Sequence, residues 1–119
     1  MQFLVIEKVS TETGLSPELY RQVPGILGAI KDYNLALTKA GKVKGSWSFG
    51  DAPGAAFILD VADNNELSRL IAASPSNAFP LTREVHPVGD VPSNLDTLAA
   101  TVREGIANMD AMAKQQNPR

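Results

Sequence analysis

The sequence predicts an α+β domain built on a four-stranded antiparallel sheet, and three observations carry that prediction. Four segments have strand character, two of them almost continuously apolar and two alternating apolar with polar positions. Two amphipathic segments with helix-capping residues fall between the first and second strands and between the third and fourth. With 119 residues and 44% hydrophobic content, the chain closes one modest core and is too short for two ordinary domains.

Residues 2–9 are rich in β-branched and aromatic side chains and nearly all apolar as far as Glu7, as suits a strand covered on both faces. A loop over residues 10–15 leads to Ser16-Pro17, where Ser16 caps free amides and Pro17 fits the first helical position. Leu19, Val23, Ile26, Ile30, Tyr33 and Leu37 then recur at steps of three and four, and Gly41 closes the helix after Ala40. Pro24-Gly25 is expected to kink it. Residues 42–49 set Val43, Gly45, Trp47 and Phe49 against Lys42, Lys44, Ser46 and Ser48, the period of two of a strand with one wetter face. Turn formers fill residues 50–54, and residues 55–61 return as an apolar strand, so the pair forms a hairpin.

Asp63 caps a short helix with Glu66 three positions on; Leu67, Leu70 and Ile71 are its buried side, and Ser74-Pro75 stops it. Residues 81–88 alternate again, with Pro80 and Pro87 near the ends, where a missing amide is tolerated. The order β-α-β-β-α-β is the split βαβ arrangement of the ferredoxin-like fold. After a connector at Val91-Pro92, Ser93 opens one further helix carrying Leu95, Leu98, Val102, Ile106, Met109 and Met112, and the polar tail, residues 115–119, frays. On this division residues 1–89 form the ferredoxin-like domain and residues 90–119 its C-terminal helical extension.

Composition removes several classes of function. Eleven basic against 13 acidic residues, a net charge of -2, give no broad positive field for a phosphate backbone, so nucleic acid is not an expected partner. The absence of cysteine removes disulfides, thiolate metal sites and thiol nucleophiles, and a lone His86 argues against zinc. The glycines at 25 and 28 and at 50 and 54 do not follow a phosphate-loop spacing. Neither a zinc site nor a nucleotide cofactor is expected. No apolar stretch reaches the roughly 18 residues of a membrane span, and the first residues lack a signal-peptide pattern, so the expected location is cytoplasmic with no membrane partner.

Lys42, Trp47, Asp60-Val61, Asn64 and Glu66-Leu67 together resemble, without a gap, the pattern of the muconolactone isomerases; Phe79-Pro80 and Val85-His86-Pro87 are similar in character. The resemblance implies a dimeric α/β barrel assembled through its sheets, with isomerisation of an unsaturated lactone by proton transfer and no metal or organic cofactor. The chain departs from the isomerases at Gly45 and Ser48, which stand where polar or charged residues flank the tryptophan; neither is a general base near neutral pH.

Such chemistry needs a base, a donor to the developing enolate and a dry pocket. His86 shares a strand face with Thr82 and Glu84, which makes a His-Glu pair a catalytic candidate; the bland alternative is a strand-end histidine bonded to backbone. Glu7 is the third catalytic candidate: among buried neighbours its carboxylate is partly desolvated, whereas at a strand end beside Lys8 it is merely solvated. Trp47 suits stacking on a planar ligand, a subunit contact or core packing. Ser46 and Ser48 are substrate-binding candidates as hydrogen-bond donors, with solvation on an edge strand as the alternative. Arg83 has the fork to hold a substrate carboxylate, but alternation places it opposite His86. The expected pocket lies between the sheet and its cover, lined by Trp47 and the Thr82, Glu84 and His86 face, and takes a small planar acid or lactone. Two helices cover only one side of the sheet, so a homo-oligomer, dimer or larger, is expected. Two other readings share the fold: a cofactor-free monooxygenase, and a non-catalytic ligand-binding or assembly module.

Overall fold

In a computed structural model, which describes residues 1–10 and 14–116, the elements run β1 (Gln2–Val9), α1 (Pro17–Lys39), β2 (Val43–Ser48), β3 (Gly54–Asp60), α2 (Asn64–Ala72), β4 (Leu81–Val88) and α3 (Val91–Gln116). A 3-10 helix, Pro75–Ala78, follows α2 where the sequence indicated only a stop. The strands form one antiparallel sheet in the order β2-β3-β1-β4. This is the ferredoxin-like βαββαβ fold with an added C-terminal helix. Part of the predicted 10–15 loop and the last three residues of the predicted fraying tail lie outside the described residues; Gln115 and Gln116 are helical.

Strand register decides which side chains share a face. Phe3, Val5 and Glu7 stand opposite Leu59, Phe57 and Ala55 on β3, and opposite Pro87, Val85 and Arg83 on β4. Phe3, Val5 and Leu59 are buried in one core with Val43, Val61 and Leu67, packed by Leu37 of α1 and by Leu70 and Ile71 of α2, so this is the helix-covered face. The alternate positions form the other face: Leu4 and Ile6 of β1, Ala56 and Ile58 of β3, and Thr82, Glu84 and His86 of β4.

On β2 the predicted alternation breaks. The β2-β3 register shifts between Val43 and Gly45, so Val43 pairs with Leu59, whereas Gly45, Ser46, Trp47 and Ser48 pair with Ile58, Phe57, Ala56 and Ala55. The extra residue of this bulge moves Gly45 and Trp47 to the open face and turns Ser46 and Ser48 towards the helices.

Helix α1 starts as predicted, with Ser16 Oγ accepting from the Leu19 amide at 3.2 Å. It runs unbroken through Pro24, whose missing amide forgoes only the bond to the Tyr20 carbonyl, on an exposed stretch of the helix. The Leu19-to-Leu37 stripe is half-buried, and no α1 residue is fully buried. Helix α3 begins at Val91, two residues before the predicted start, because Asp90 is the cap: its carboxylate accepts from the Ser93 amide at 3.1 Å and its carbonyl from the Asn94 amide at 2.9 Å. The large apolar side chains of α3, from Leu95 to Met112, are all exposed. Met1–Val88 and Gly89–Arg119 are two compact units. No helix among the described residues is long and apolar enough to cross a membrane.

The junction of β3 with α2 holds most of the residues that carry the family resemblance, and it is a fastening. Asp63 Oδ1 accepts from the Glu66 amide at 2.8 Å, and Glu66 Oε1 accepts from Lys42 Nζ at 2.8 Å and from the Ala62 amide at 3.3 Å. The hydrogen bond from Lys42, foremost, holds the Glu66 carboxyl below its usual range, against a smaller opposing effect of desolvation. A depressed carboxyl stabilises the fold above its unfolded value of about 4.3 and loses that contribution as pH falls through the folded value. The melting-temperature difference between the wild type and Glu66→Gln is therefore expected to be full at neutral pH and to shrink below about pH 4. A constant difference across that range, read by circular dichroism, contradicts the assignment.

Candidate functional site

Between the helix-covered face of the sheet and the two helices lies a cavity of about 400 Å³. The bulge in β2 turns Ser46 and Ser48 into its wall, α1 contributes Tyr33 and Asn34, and Ser74 and Ser76 close the end beyond α2. Phe57, Leu59 and Ile71 supply apolar surface. A second cavity of about 530 Å³ adjoins it, walled by Val9, Leu15, Val23, Leu27, Phe79 and Leu81.

Glu7 lines both cavities. It sits on β1 at the parity of Phe3 and Val5, and its side chain is only 11% exposed. Arg83, its direct partner across the β1-β4 ladder, donates from Nε to Glu7 Oε1 at 2.9 Å and from Nη2 to Asn77 Oδ1 at 2.8 Å. Asn77 is itself held, its amide donating to the carbonyls of Ile71 and Ala72 at 2.9 and 3.2 Å. The carboxylate is thus anchored through one oxygen by a guanidinium that is anchored in turn. Among the described residues no hydrogen bond reaches its other oxygen. A charge pair this deep is expensive to break, roughly 3–5 kcal/mol when one partner is stranded, so its presence in the wall of a cavity fixes where the carboxylate stands.

Hydroxyls line the same cavity. Ser74 Oγ and Ser76 Oγ are 2.7 Å apart, and Ser74 Oγ also accepts from the Ser76 amide at 3.3 Å. Ser76 is buried. The Tyr33 hydroxyl donates to the Leu70 carbonyl at 2.6 Å, and burial pushes it above the usual phenol range, so it is neutral near pH 7.

Of the residues singled out in the sequence, Glu7, Ser46, Trp47 and Ser48 meet at the first cavity. Trp47 reaches only its rim: its register belongs to the open face, it is 60% exposed, and its ring lies over Gly45, where an added Cβ would come within 2.7 Å of it. Thr82, Glu84 and His86 do not line either cavity. They stand on the open face, contrary to the expected pocket lining, because they share the parity of Leu4 and Ile6 rather than that of Glu7. There His86 Nε2 is 3.5 Å from Glu84 Oε2, with both side chains more than half exposed. Arg83 binds Glu7 internally, and its fork is not free for a substrate carboxylate. No group of three His, Cys, Asp or Glu that could hold a metal occurs among the described residues. The Glu7-Arg83 pair and the Ser74-Ser76 pair were not anticipated. Parity pointed to the first, since both residues sit at inward positions of strands that this topology makes neighbours; nothing local marked the second.

The sequence profile of the muconolactone delta-isomerase family matches residues 1–94. No curated protein matches the chain. Among solved structures, the 5-chloro-2-hydroxyhydroquinone dehydrochlorinase of Burkholderia phenoliruptrix, in complex with 2,5-dihydroxybenzoquinone, superposes with a TM-score of 0.59 at 16% identity, covering 78% of this chain and 98% of that one. A protein of Agrobacterium tumefaciens superposes with a TM-score of 0.42 at 11% identity, covering 76% of this chain and 96% of that one.

Proposed function

Because the chain belongs to the muconolactone delta-isomerase family, we propose that it is a cofactor-free enzyme that moves a proton within a small unsaturated lactone or related acid, with Glu7 as the base. The observation that carries this reading is a buried carboxylate, anchored through one oxygen, in the wall of a cavity otherwise lined by hydroxyls, the Asn34 amide and apolar side chains. In the proposed step Glu7 Oε2 takes a proton from the saturated ring carbon attached to the double bond that is conjugated with the lactone carbonyl. The electron pair of that C–H bond shifts to a dienolate, and Glu7 returns the proton to a different carbon, so the double bond moves and nothing is gained or lost. The hydroxyls of Ser46, Ser48 and the Ser74-Ser76 pair are the donors available to the enolate oxygen. The walls of Phe57, Leu59 and Ile71 limit water near the carbanion. The related dehydrochlorinase fold, solved with a small planar quinone, supports a ligand of that shape.

A second reading rests on the contact of His86 with Glu84 on the open face, with Trp47 on the same face. It places a ligand, or a neighbouring copy of the chain, against that surface. A screen of unsaturated lactones, followed by the ultraviolet change as conjugation shifts, is expected to show turnover that needs no added metal or organic cofactor. Binding of every lactone without turnover of any contradicts the isomerase reading and favours a binding module of the same fold. We further propose that the chain is a homo-oligomer located in the cytoplasm: Leu4, Ile6, Ala56 and Ile58 form an apolar face opposite to the helices, with exposed Trp47 beside it.

A further inference from the structure

We propose that the molecule acted on at Glu7 has two parts, a small oxygenated ring and an alkyl or aryl substituent, and that the second cavity holds the substituent. The inference rests on the reading of Glu7 as the reacting group. Glu7, Ile30, Ser48, Ala55 and Ser76 line both cavities, so the carboxylate stands at their junction. Both cavities are mainly apolar, but their polar share differs. The first adds the polar groups of Tyr33, Asn34, Ser46 and Ser74 to its apolar wall, whereas the second adds Val9, Leu15, Val23, Leu27, Phe79 and Leu81, with Ser10 as its one further hydroxyl among the described residues.

Apart from the buried Phe79, these apolar side chains are not explained by the core. None belongs to the cluster centred on Val5 and Leu59, and Leu27 is 54% exposed. A lone lactone ring is satisfied by the hydroxyl-lined cavity of about 400 Å³ and leaves the apolar one of about 530 Å³ to water, which finds few hydrogen-bond partners there. An apolar substituent displaces that water. Since both cavities meet at one carboxylate, the substituent is carried on, or next to, the carbon that loses its proton. A substituent at a distant ring position points away from the junction.

The test is a series of butenolides bearing methyl, butyl, hexyl and octyl groups on the ring carbon that is deprotonated, titrated calorimetrically into the full chain and into Glu7→Gln. Affinity is expected to rise about three- to fourfold per methylene until the second cavity is full, with the same trend in Glu7→Gln. Val23→Trp, which fills only the second cavity, is expected to lower octyl-compound affinity at least tenfold while changing that of the methyl compound by less than about twofold. Leu81→Trp fills the same cavity from β4 and serves if the helix variant does not fold. Affinity independent of chain length, a gain that survives both substitutions, or no binding by any member overturns the proposal. Because the readout is binding, a lack of turnover together with an intact chain-length trend overturns only the role of Glu7 as base.

Discussion

Glu7→Gln is expected to lower kcat on the preferred lactone by at least about a hundredfold, and by as much as about ten-thousandfold, the range set by removal of a positioned general base. The substitution isolates the proton-accepting function. Glutamine keeps the shape of the side chain and a carbonyl oxygen that can accept from Arg83 Nε, so the link through Arg83 to Asn77 survives in outline. What disappears is an oxygen able to take a proton. KM is expected to change little, because the substrate is held by hydroxyls and apolar walls rather than by the carboxylate. His86→Ala is the companion measurement. With the ring on the open face, outside both cavities, its loss is expected to leave kcat within about twofold, far below the loss expected on removing a general base. If the two results exchange places, the reaction belongs to the open face and the Glu7 assignment fails. Melting curves of both variants separate lost chemistry from lost fold, since removing one charge from a buried pair strands the other.

A chain ending at Gly89 is expected to keep β-rich circular dichroism and to lose assembly, whereas the full chain scatters light as at least two copies. The unit Met1–Val88 contains every strand, the core and both cavities, so its folding does not call upon α3. Helix α3 nonetheless exposes Leu95, Leu98, Val102, Ile106, Met109 and Met112, a stripe that has to be covered somewhere in solution. Burial is worth roughly 1.5–3 kcal/mol per large side chain, so two of the six fully buried already correspond to about a hundredfold in association. The shortened chain is therefore expected to dissociate at concentrations at least about a hundredfold above those that part the full chain. Identical dissociation of the two chains makes α3 dispensable for assembly; failure of the shorter chain to fold moves α3 into the domain itself.

Much of the fold is legible in the sequence because its signals are local. The Asp63 cap, the Glu66 partner three residues on and the Ser16-Pro17 helix start are side chains bonding to nearby backbone, and the structure shows both caps. Where two local signals compete, position is less secure: Asp90 and Ser93 are both capping residues, and Asp90 prevails, with Pro92 in the first turn, where it lacks only an amide that would go unpaired. The β2 bulge had a faint marker in Gly45, a glycine inside a strand, but alternation on either side of it looked regular enough to hide the slip. The site was the hardest part because it depends on which face of the sheet the helices choose. β1 is apolar at both parities, so neither Glu7 nor His86 announced its side; only the pairing of Glu7 with Arg83 and the burial of Phe3 and Val5 decide it. The shared face of Thr82, Glu84 and His86 was readable from alternation, whereas their separation from the cavity was not.

Trp47 is the only tryptophan in the chain, and it lies on the open side of the sheet, 60% exposed, with its ring over the bare backbone of Gly45. The protein therefore carries its one indole at the surface where a second copy would dock. Its emission is that of a largely hydrated indole as long as this surface is wet, and shifts to the blue when the surface is covered. Dilution followed by emission colour, with no ligand in the Glu7 cavity that the same ring borders, thus reads subunit separation in unlabelled protein.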